Sequence, residues 1–222
     1  MYKVSSLSKI QSVNDKVSKS VEIFSDISVK QNFHSTLSFW TNKSNACDVN
    51  TSVHLIGKRH GFGIVNVENH VDMLKTASSF LKELGKTKGR LLFVNDQFSQ
   101  NLDGLVKTFA LNSGQSYSIE KWNCGKLTMS EDKLKYKAII VLNPTKNLFL
   151  IREARKLGIP VLSLCSGNSA MFNVSYPIIC NNESGDSILY VLLTLANAII
   201  YGRLHQVYIN FSNKKDAISI NE

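Results

Sequence analysis

Short apolar segments that alternate with helical patterns are the feature of this sequence that most limits its fold. The segments Arg90–Val94, Ala138–Leu142 and Pro160–Leu164 show no regular polar alternation, which is typical of strands buried on both faces of a sheet. The stretches Leu102–Ala110 and Leu148–Leu157 place apolar residues at helical spacing between them. Strands separated by helices predict the α/β class, with a doubly wound, mainly parallel sheet flanked by helices.

The regions on either side of this pattern differ from it. Residues 1–50 are rich in Ser, Asn and Lys with a weak helical periodicity, so we predict an N-terminal extension that is partly helical. Near the other end, Asp186–Tyr201 is apolar almost all round and predicts a helix packed on several sides. Because Thr194 and Asn197 interrupt its apolar run, which is shorter than the roughly 18 residues needed to span a bilayer, no transmembrane segment is expected. The predicted division is an extension 1–50, an α/β domain 51–205 and a C-terminal tail 206–222.

The charge balance indicates a polyanionic partner. The chain has 26 Lys and Arg against 17 Asp and Glu, which gives a net charge of +9 at pH 7. Phosphates attract clustered cations because binding releases counterions, so nucleic acid is the first candidate partner and an anionic membrane surface the second. The excess is spread along the chain, and the simplest alternative is that it only keeps the protein soluble.

A basic turn is predicted between two short strands, Leu55–Ile56 and Phe62–Val67. Glycines at both ends of the turn Gly57–Gly61 allow a tight reversal, and its cationic side chains are expected to face phosphates. A turn that is merely solvated is the equal alternative, while a dinucleotide site is disfavoured because the third glycine is missing and a strand follows. The cationic residues are Lys58, Arg59 and His60.

Two further basic segments are candidate RNA contacts. In the first, an aromatic ring lies between two cations, which suits base stacking and phosphate contacts, although a Trp that anchors a loop on the core is as common. In the second, cations lie on one helix, where an ordinary solvated face is the alternative. The residues are Lys121, Trp122 and Lys126 in the first segment, and Arg152, Arg155 and Lys156 in the second.

An enzymatic alternative centres on Cys165. The segment Gly158–Gly167 places this thiol just after a buried strand, where nucleophile elbows occur, and superficially resembles the nucleophile strand of class I glutamine amidotransferases. However, Ser163 stands where that motif has Gly, and no downstream His is followed by a carboxylate that could orient it. Without a base the thiol stays largely protonated at neutral pH, which disfavours catalysis. A cysteine hydrolase of the amidotransferase type, with Cys165 as its nucleophile, is therefore kept as the alternative function.

Neither a metal site nor a cofactor is expected. The four cysteines form no C-x-x-C pair, which removes the usual zinc-ribbon and dithiol signatures. The histidines His54, His60 and His70 have no spacing that would put two of them on one helical face.

Several short blocks occur in order between residues 54 and 203. The longest, Ile151–Val161, reads I-R-E-A-R-K-L-G-I-P-V. The other blocks are Ile56–Gly61, Ile64–Glu68, Gly89–Val94, Lys121–Thr128 and Tyr176–Ile178, the last followed by Asn181 and Asn182. They resemble the universal small-subunit ribosomal protein two family, bacterial and organellar type, whose blocks include I-x-E-A-x-K-L-G-I-P-V, F-G-x-R-N-G, G-K-I-L-F-V and R-W-L-G-G-x-L-T.

The sequence also departs from that family. Bacterial members carry a long helical hairpin before the third strand, whereas here only residues 129–137 fill this interval, so the hairpin is expected to be absent. The family's D-T-N-x-D-P stretch is replaced by Ser166–Met171, and its G-x-H-F-G-H start is not recognisable.

The resemblance implies a structural constituent of the small ribosomal subunit, placed where head meets body and bound to small-subunit rRNA and neighbouring ribosomal proteins. It implies no reaction, no cofactor, no small-molecule substrate and no membrane. A free-standing RNA-binding regulator is a further alternative. Because Lys greatly outnumbers Arg and Asn and Ile are abundant, the composition indicates an AT-rich coding genome. We therefore expect an organellar ribosome, with the mitochondrion preferred to the plastid.

Overall fold

The structure is a computed structural model, and it describes residues 39–40, 53–59, 62–95, 100–129, 135–166, 171, 173–182 and 184–219. Almost all of the predicted extension 1–50 lies outside these residues. Two sheets and four helices make up the described part.

The larger sheet is fully parallel, and its strand order is β5-β4-β6-β7-β8. All four residues of β4 and of β6 and all five of β7 are buried, as expected for strands covered on both faces. The doubly wound α/β fold predicted from the sequence is confirmed. The strands are β4 Leu91–Val94, β5 Ser116–Ser118, β6 Ala138–Val141, β7 Val161–Cys165 and β8 Tyr176–Ile179.

The strand β5 was not predicted. Its three residues, Ser-Tyr-Ser, are short and polar, and they lie at the edge of the sheet with partial exposure to solvent. The neighbouring Gln115 side chain helps to hold this edge, since its Oε1 accepts a hydrogen bond from the Leu91 backbone N–H at 2.8 Å. Pairing with β4 therefore decides this strand, because one Tyr between two Ser residues is too short a pattern to indicate a strand.

A second, antiparallel sheet has the order β1-β3-β2, with β1 Phe39–Trp40, β2 Leu55–Arg59 and β3 Phe62–Val65. The predicted turn 57–61 was too long, because β2 continues to Arg59, whose Cα pairs with that of Phe62. Lys58 and Arg59 thus belong to a strand, and only residues 60 and 61 separate β2 from β3. His60 lies outside the described residues.

The first helix, α1, spans Val67–Lys86. The predicted strand Phe62–Val67 is wrong at its end, since the Asn66 side chain caps the helix by accepting the Glu68 backbone N–H at 3.0 Å. The other helices are α2 Gln100–Asn112, α3 Leu148–Lys156 and α4 Gly185–Ser219.

Helices α1 and α4 cross at two glycines. A Cβ atom built on Gly202 would lie 2.1 Å from the Lys82 carbonyl oxygen, and one on Gly85 would lie 2.6 Å from the Ile199 carbonyl oxygen. Real Cβ atoms do not approach backbone this closely. The crossing distance therefore depends on glycine at both positions.

The last helix is longer than predicted. It continues past residue 205, where the C-terminal tail was expected to begin, and reaches Ser219. The segment Gly185–Ile209 is long and apolar enough to cross a bilayer by length and composition, so the expectation based on a short apolar run does not hold for the whole helix. In this fold the helix buries one side in the core through Val191, Leu192, Leu195 and Ile199.

Helix α3 covers the opposite face of the parallel sheet from the α1–α4 pair. Alternate residues of the central strands point towards it, including Leu92 and Val94 from β4 and Ile139 and Val141 from β6. They form one buried cluster with the α3 residues Leu150, Ile151 and Ala154, and with Trp122 and Leu127 from the loop after β5. The same core thus holds a helix and a loop that both carry predicted RNA contacts.

Candidate RNA interface

The basic segment that contains Lys121, Trp122 and Lys126 is a loop without regular secondary structure. Two of its side chains anchor it in the core. The Trp122 side chain is only 8% exposed and Leu127 only 3%, and both pack in the cluster beneath α3. Lys121 and Lys126 remain exposed. The expectation that the Trp122 ring faces RNA is therefore wrong in this structure, because the buried indole cannot stack on a base, and its role is to anchor the loop.

The anchor also positions one of the cations. The Nζ of Lys126 lies 5.3 Å from the centroid of the Trp122 ring, within the range of a cation–π interaction. The Lys126 side chain is still exposed to solvent, on the side away from the Trp122 ring. The position of the Lys126 charge therefore depends on Trp122, whose ring is fixed in the core.

The loop is bound to helix α3 by one carboxylate. Glu153 accepts the backbone N–H of Gly125 at one oxygen and that of Leu127 at the other, the second bond measuring 3.2 Å. Gly125 adopts a φ of +90°, in the left-handed region that favours glycine, and a Cβ there would lie 3.1 Å from the Met129 sulfur. The loop conformation therefore depends on both the glycine and the carboxylate.

Helix α3 is amphipathic and turns its cations outwards. Leu150, Ile151 and Ala154 are buried, whereas Arg152, Arg155 and Lys156 are exposed. Arg155 donates a hydrogen bond to the Asn173 side-chain oxygen, which fixes it beside the turn before β8. The ion pairs found in the described residues lie within α1, so none of these exposed cations is paired with a described carboxylate.

The hydrogen bonds that Glu153 accepts place the two basic segments next to each other, and we call their exposed cations together the loop–helix surface. It consists of the exposed cations Lys121 and Lys126 from the loop and Arg152, Arg155 and Lys156 from α3. Sequence reasoning treated the two segments separately, because 26 to 35 positions separate their cations along the chain. It also missed Glu153, which looks like one more solvated charge in a basic helix and was noted only as part of a motif.

The hairpin residues lie elsewhere. Leu55 and Val65 pack with Ile179, which places the β2–β3 hairpin beside β8, at the edge of the parallel sheet opposite β5. Lys58 and Arg59 are therefore not part of the loop–helix surface. The structure joins two of the three predicted basic segments and leaves the third apart.

The structure does not support a nucleophilic role for Cys165. Its side chain is fully buried, and burial raises the pKa of the thiol to about 12. The Sγ lies 3.7 Å from the Ser163 carbonyl oxygen, an acceptor that cannot remove its proton. Cys180 is also buried, and burial raises the pKa of its thiol as well.

Within the part of the chain that the structure describes, no group of three His, Cys, Asp or Glu side chains could hold a metal ion. His54 lies 3.4 Å from the Asn69 side chain through its Nδ1, and His70 is buried against β8. These two residues have contacts typical of structural histidines.

Comparison with known proteins decides the family. Residues 38–136 and 129–202 match the family described as ribosomal protein S2, which is about three quarters of the chain. The chain belongs to the ribosomal protein S2 family. As a member, it is a structural constituent of the small ribosomal subunit.

Individual relatives agree with this assignment. The small ribosomal subunit protein uS2 of Idiomarina loihiensis is 29% identical over 202 residues, which cover 69% of this chain and 83% of the relative. The uS2 protein of a Psychrobacter species is 24% identical, covering 74% and 78% of the two chains. The protein named uS2m from Acanthamoeba castellanii is 26% identical over 69% of this chain and 52% of its own length. The family predicted from the order of the sequence blocks is thus confirmed.

Proposed function

We propose that this member of the S2 family docks on small-subunit rRNA through the loop–helix surface. The observation that carries the proposal is the pair of hydrogen bonds that Glu153 accepts from the loop backbone, which fixes a basic loop against a basic helix. Five exposed cations come from these two elements, and none of them is neutralised by a described acidic side chain. A surface of this kind attracts phosphates through counterion release.

The chemistry of the surface favours contacts with the RNA backbone. Each Lys offers a compact point charge, whereas an Arg guanidinium can donate two parallel hydrogen bonds to one phosphate. Base stacking requires an exposed aromatic face, and the Trp122 ring is buried. The five cations are therefore expected to recognise the shape and phosphate pattern of folded RNA more than its sequence.

A second RNA contact is proposed at the β2–β3 hairpin, through Lys58, Arg59 and His60. The strand register places Lys58 and Arg59 directly before the turn, and the hairpin packs beside β8 rather than in the cluster beneath α3, so it would be a separate contact with RNA.

The place of the protein in the ribosome follows from family resemblance. We propose the junction of head and body of the small subunit, with neighbouring small-subunit proteins as further partners and no reaction, cofactor, membrane or small-molecule substrate. A mitochondrial ribosome is proposed over a plastid one. The Lys- and Asn-rich composition and the likeness to a protein named uS2m support this proposal.

The experiment reverses charge on both elements of the surface at once. The double variant Lys121→Glu and Arg152→Glu changes one exposed cation on the loop and one on α3. Its matched control, Lys75→Glu and Lys107→Glu, makes the same charge change at exposed positions of α1 and α2. Incorporation into small subunits depleted of this protein is measured by sedimentation, and binding to a small-subunit rRNA transcript is measured across salt concentrations.

We expect the first variant to incorporate poorly and the control to incorporate nearly as the parent does. The slope of log K against log salt should fall by about 1.4 to 1.8 in the first variant, because two phosphate contacts are lost. Equal loss in the two variants would mean that only net charge matters, and the proposed surface would be wrong.

A further inference from the structure

An acidic residue lies inside the surface proposed to bind phosphates. Glu153 is half-buried on α3, next in sequence to Arg152, and its charge on its own repels RNA. A carboxylate at this place weakens a purely electrostatic surface, so its contribution to binding must come from its contacts. Both of its oxygens accept backbone N–H groups of the loop.

The loop near the cations is held by Glu153 together with turn hydrogen bonds of its own. Trp122 and Leu127 fix it at either end in the core, and the backbone N–H groups of Gly125 and Leu127 are satisfied by Glu153. The Met129 backbone N–H donates to the Gly125 carbonyl at 2.8 Å, which closes the turn on its other side. Since Gly125 has a left-handed φ of +90°, the carboxylate stabilises a conformation that the free chain adopts only in part of its ensemble.

We propose that Glu153 is a positioning residue for RNA binding, which holds the loop so that Lys121 and Lys126 face the same RNA as the cations of α3. The hydrogen bonds to charged acceptors are strong enough to order an exposed loop, since they are roughly twice as strong as neutral ones. This inference rests on the proposed function. It predicts that removing the Glu153 charge weakens RNA binding, whereas simple electrostatics predicts that the same change strengthens binding.

The test compares Glu153→Gln with Glu120→Gln in the full chain. Each variant removes one negative charge from the same region, but Glu120 is exposed in the loop, whereas Glu153 binds the loop backbone. Gln at 153 presents an NH2 donor in place of one carboxylate oxygen, so one of the two backbone N–H groups faces a donor instead of its acceptor. Affinity for a small-subunit rRNA transcript is measured against salt concentration, and thermal unfolding is followed by circular dichroism.

If the loop is positioned by Glu153, Glu153→Gln should bind the transcript about tenfold more weakly and with a smaller salt slope, because loop cations leave the phosphates. Glu120→Gln should bind as tightly as the parent or more tightly. Unchanged or tighter binding by Glu153→Gln, with an unchanged slope, would overturn the inference.

A second measurement separates positioning from general loss of stability. The variant Lys121→Ala and Lys126→Ala is made in the parent and in the Glu153→Gln background. We expect the lysines to matter for affinity in the parent and to matter little once Glu153 is changed. An equal cost in both backgrounds would contradict the positioning role, whereas failure of the parent itself to bind the transcript would instead refute the proposed function on which it rests.

Discussion

The crossing of α1 and α4 gives a prediction whose size follows from the structure. Replacing Gly202 by Ala would place a methyl group 2.1 Å from the Lys82 carbonyl oxygen, with the next nearest atoms also backbone, at 3.0 and 3.2 Å. No side-chain rotation can relieve a contact with backbone, so the two helices must separate. Overpacking of a core costs about 1–3 kcal/mol, and this site should lie near the upper end.

The helix itself would gain from the change, and this gain offsets part of the cost. Ala is about 1 kcal/mol more favourable than Gly in a helix interior, so Gly202→Ala should destabilise the protein by about 2 kcal/mol. For a chain of 222 residues this corresponds to a fall in Tm of about 4–8 °C. Urea titration followed by circular dichroism gives the free energy directly, and thermal unfolding gives Tm.

The matched control is Gly104→Ala. This glycine lies in the interior of α2, and a Cβ there would meet no atom within 4 Å. The substitution should therefore stabilise the protein by about 0.5–1 kcal/mol. A Gly202→Ala protein as stable as the parent, alongside a stabilised Gly104→Ala protein, would refute the close helix crossing.

Two further predictions concern buried titratable groups. In the native protein, iodoacetamide at neutral pH should modify the exposed Cys124 but not Cys165, since burial raises the pKa of the Cys165 thiol to about 12. Both cysteines should react in urea, and mass spectrometry identifies the modified sites. Rapid labelling of Cys165 in the native protein would contradict its burial. Burial also lowers the pKa of His70 below 6.5, and the folded state therefore binds fewer protons there than the unfolded state. The contribution of neutral His70 to the free energy of unfolding is present above about pH 6.5 and falls by up to about 1.4 kcal/mol per pH unit below it. Urea midpoints at pH 7.5 and 5.5 should therefore differ more for the parent than for His70→Gln. Equal differences in the two proteins would refute this account.

A hydrogen bond to the backbone of β8 shows which ring nitrogen of His70 carries the proton. The His70 Nδ1 lies 2.5 Å from the Ile179 carbonyl oxygen, which can only accept a hydrogen bond, so Nδ1 carries the proton. The bond connects the first turn of α1 to the end of β8, across 109 positions of the chain. Its role in stability is thus to fasten a helix to the edge strand of the sheet.

Local patterns in the sequence were sufficient for the elements with strong periodicity. The strands β4, β6 and β7 were recognisable because each is buried throughout, and α3 was recognisable because its buried and exposed residues alternate at helical spacing. The strand β5 was missed because its three polar residues become a strand only through pairing with β4. The length of α4 was underestimated because its sequence after residue 201 loses the continuous apolar pattern on which the prediction depended.

The amino-acid sequence by itself determined the fold class and the family, because burial of consecutive strands and the order of short blocks are properties of the linear chain. Only the tertiary structure decided that Trp122 faces the core and that Glu153 joins a loop to a helix. The hydrogen bonds of Glu153 connect positions 26 and 28 residues apart. No local pattern encodes such contacts, since they exist only after the sheet brings the loop and α3 onto the same face.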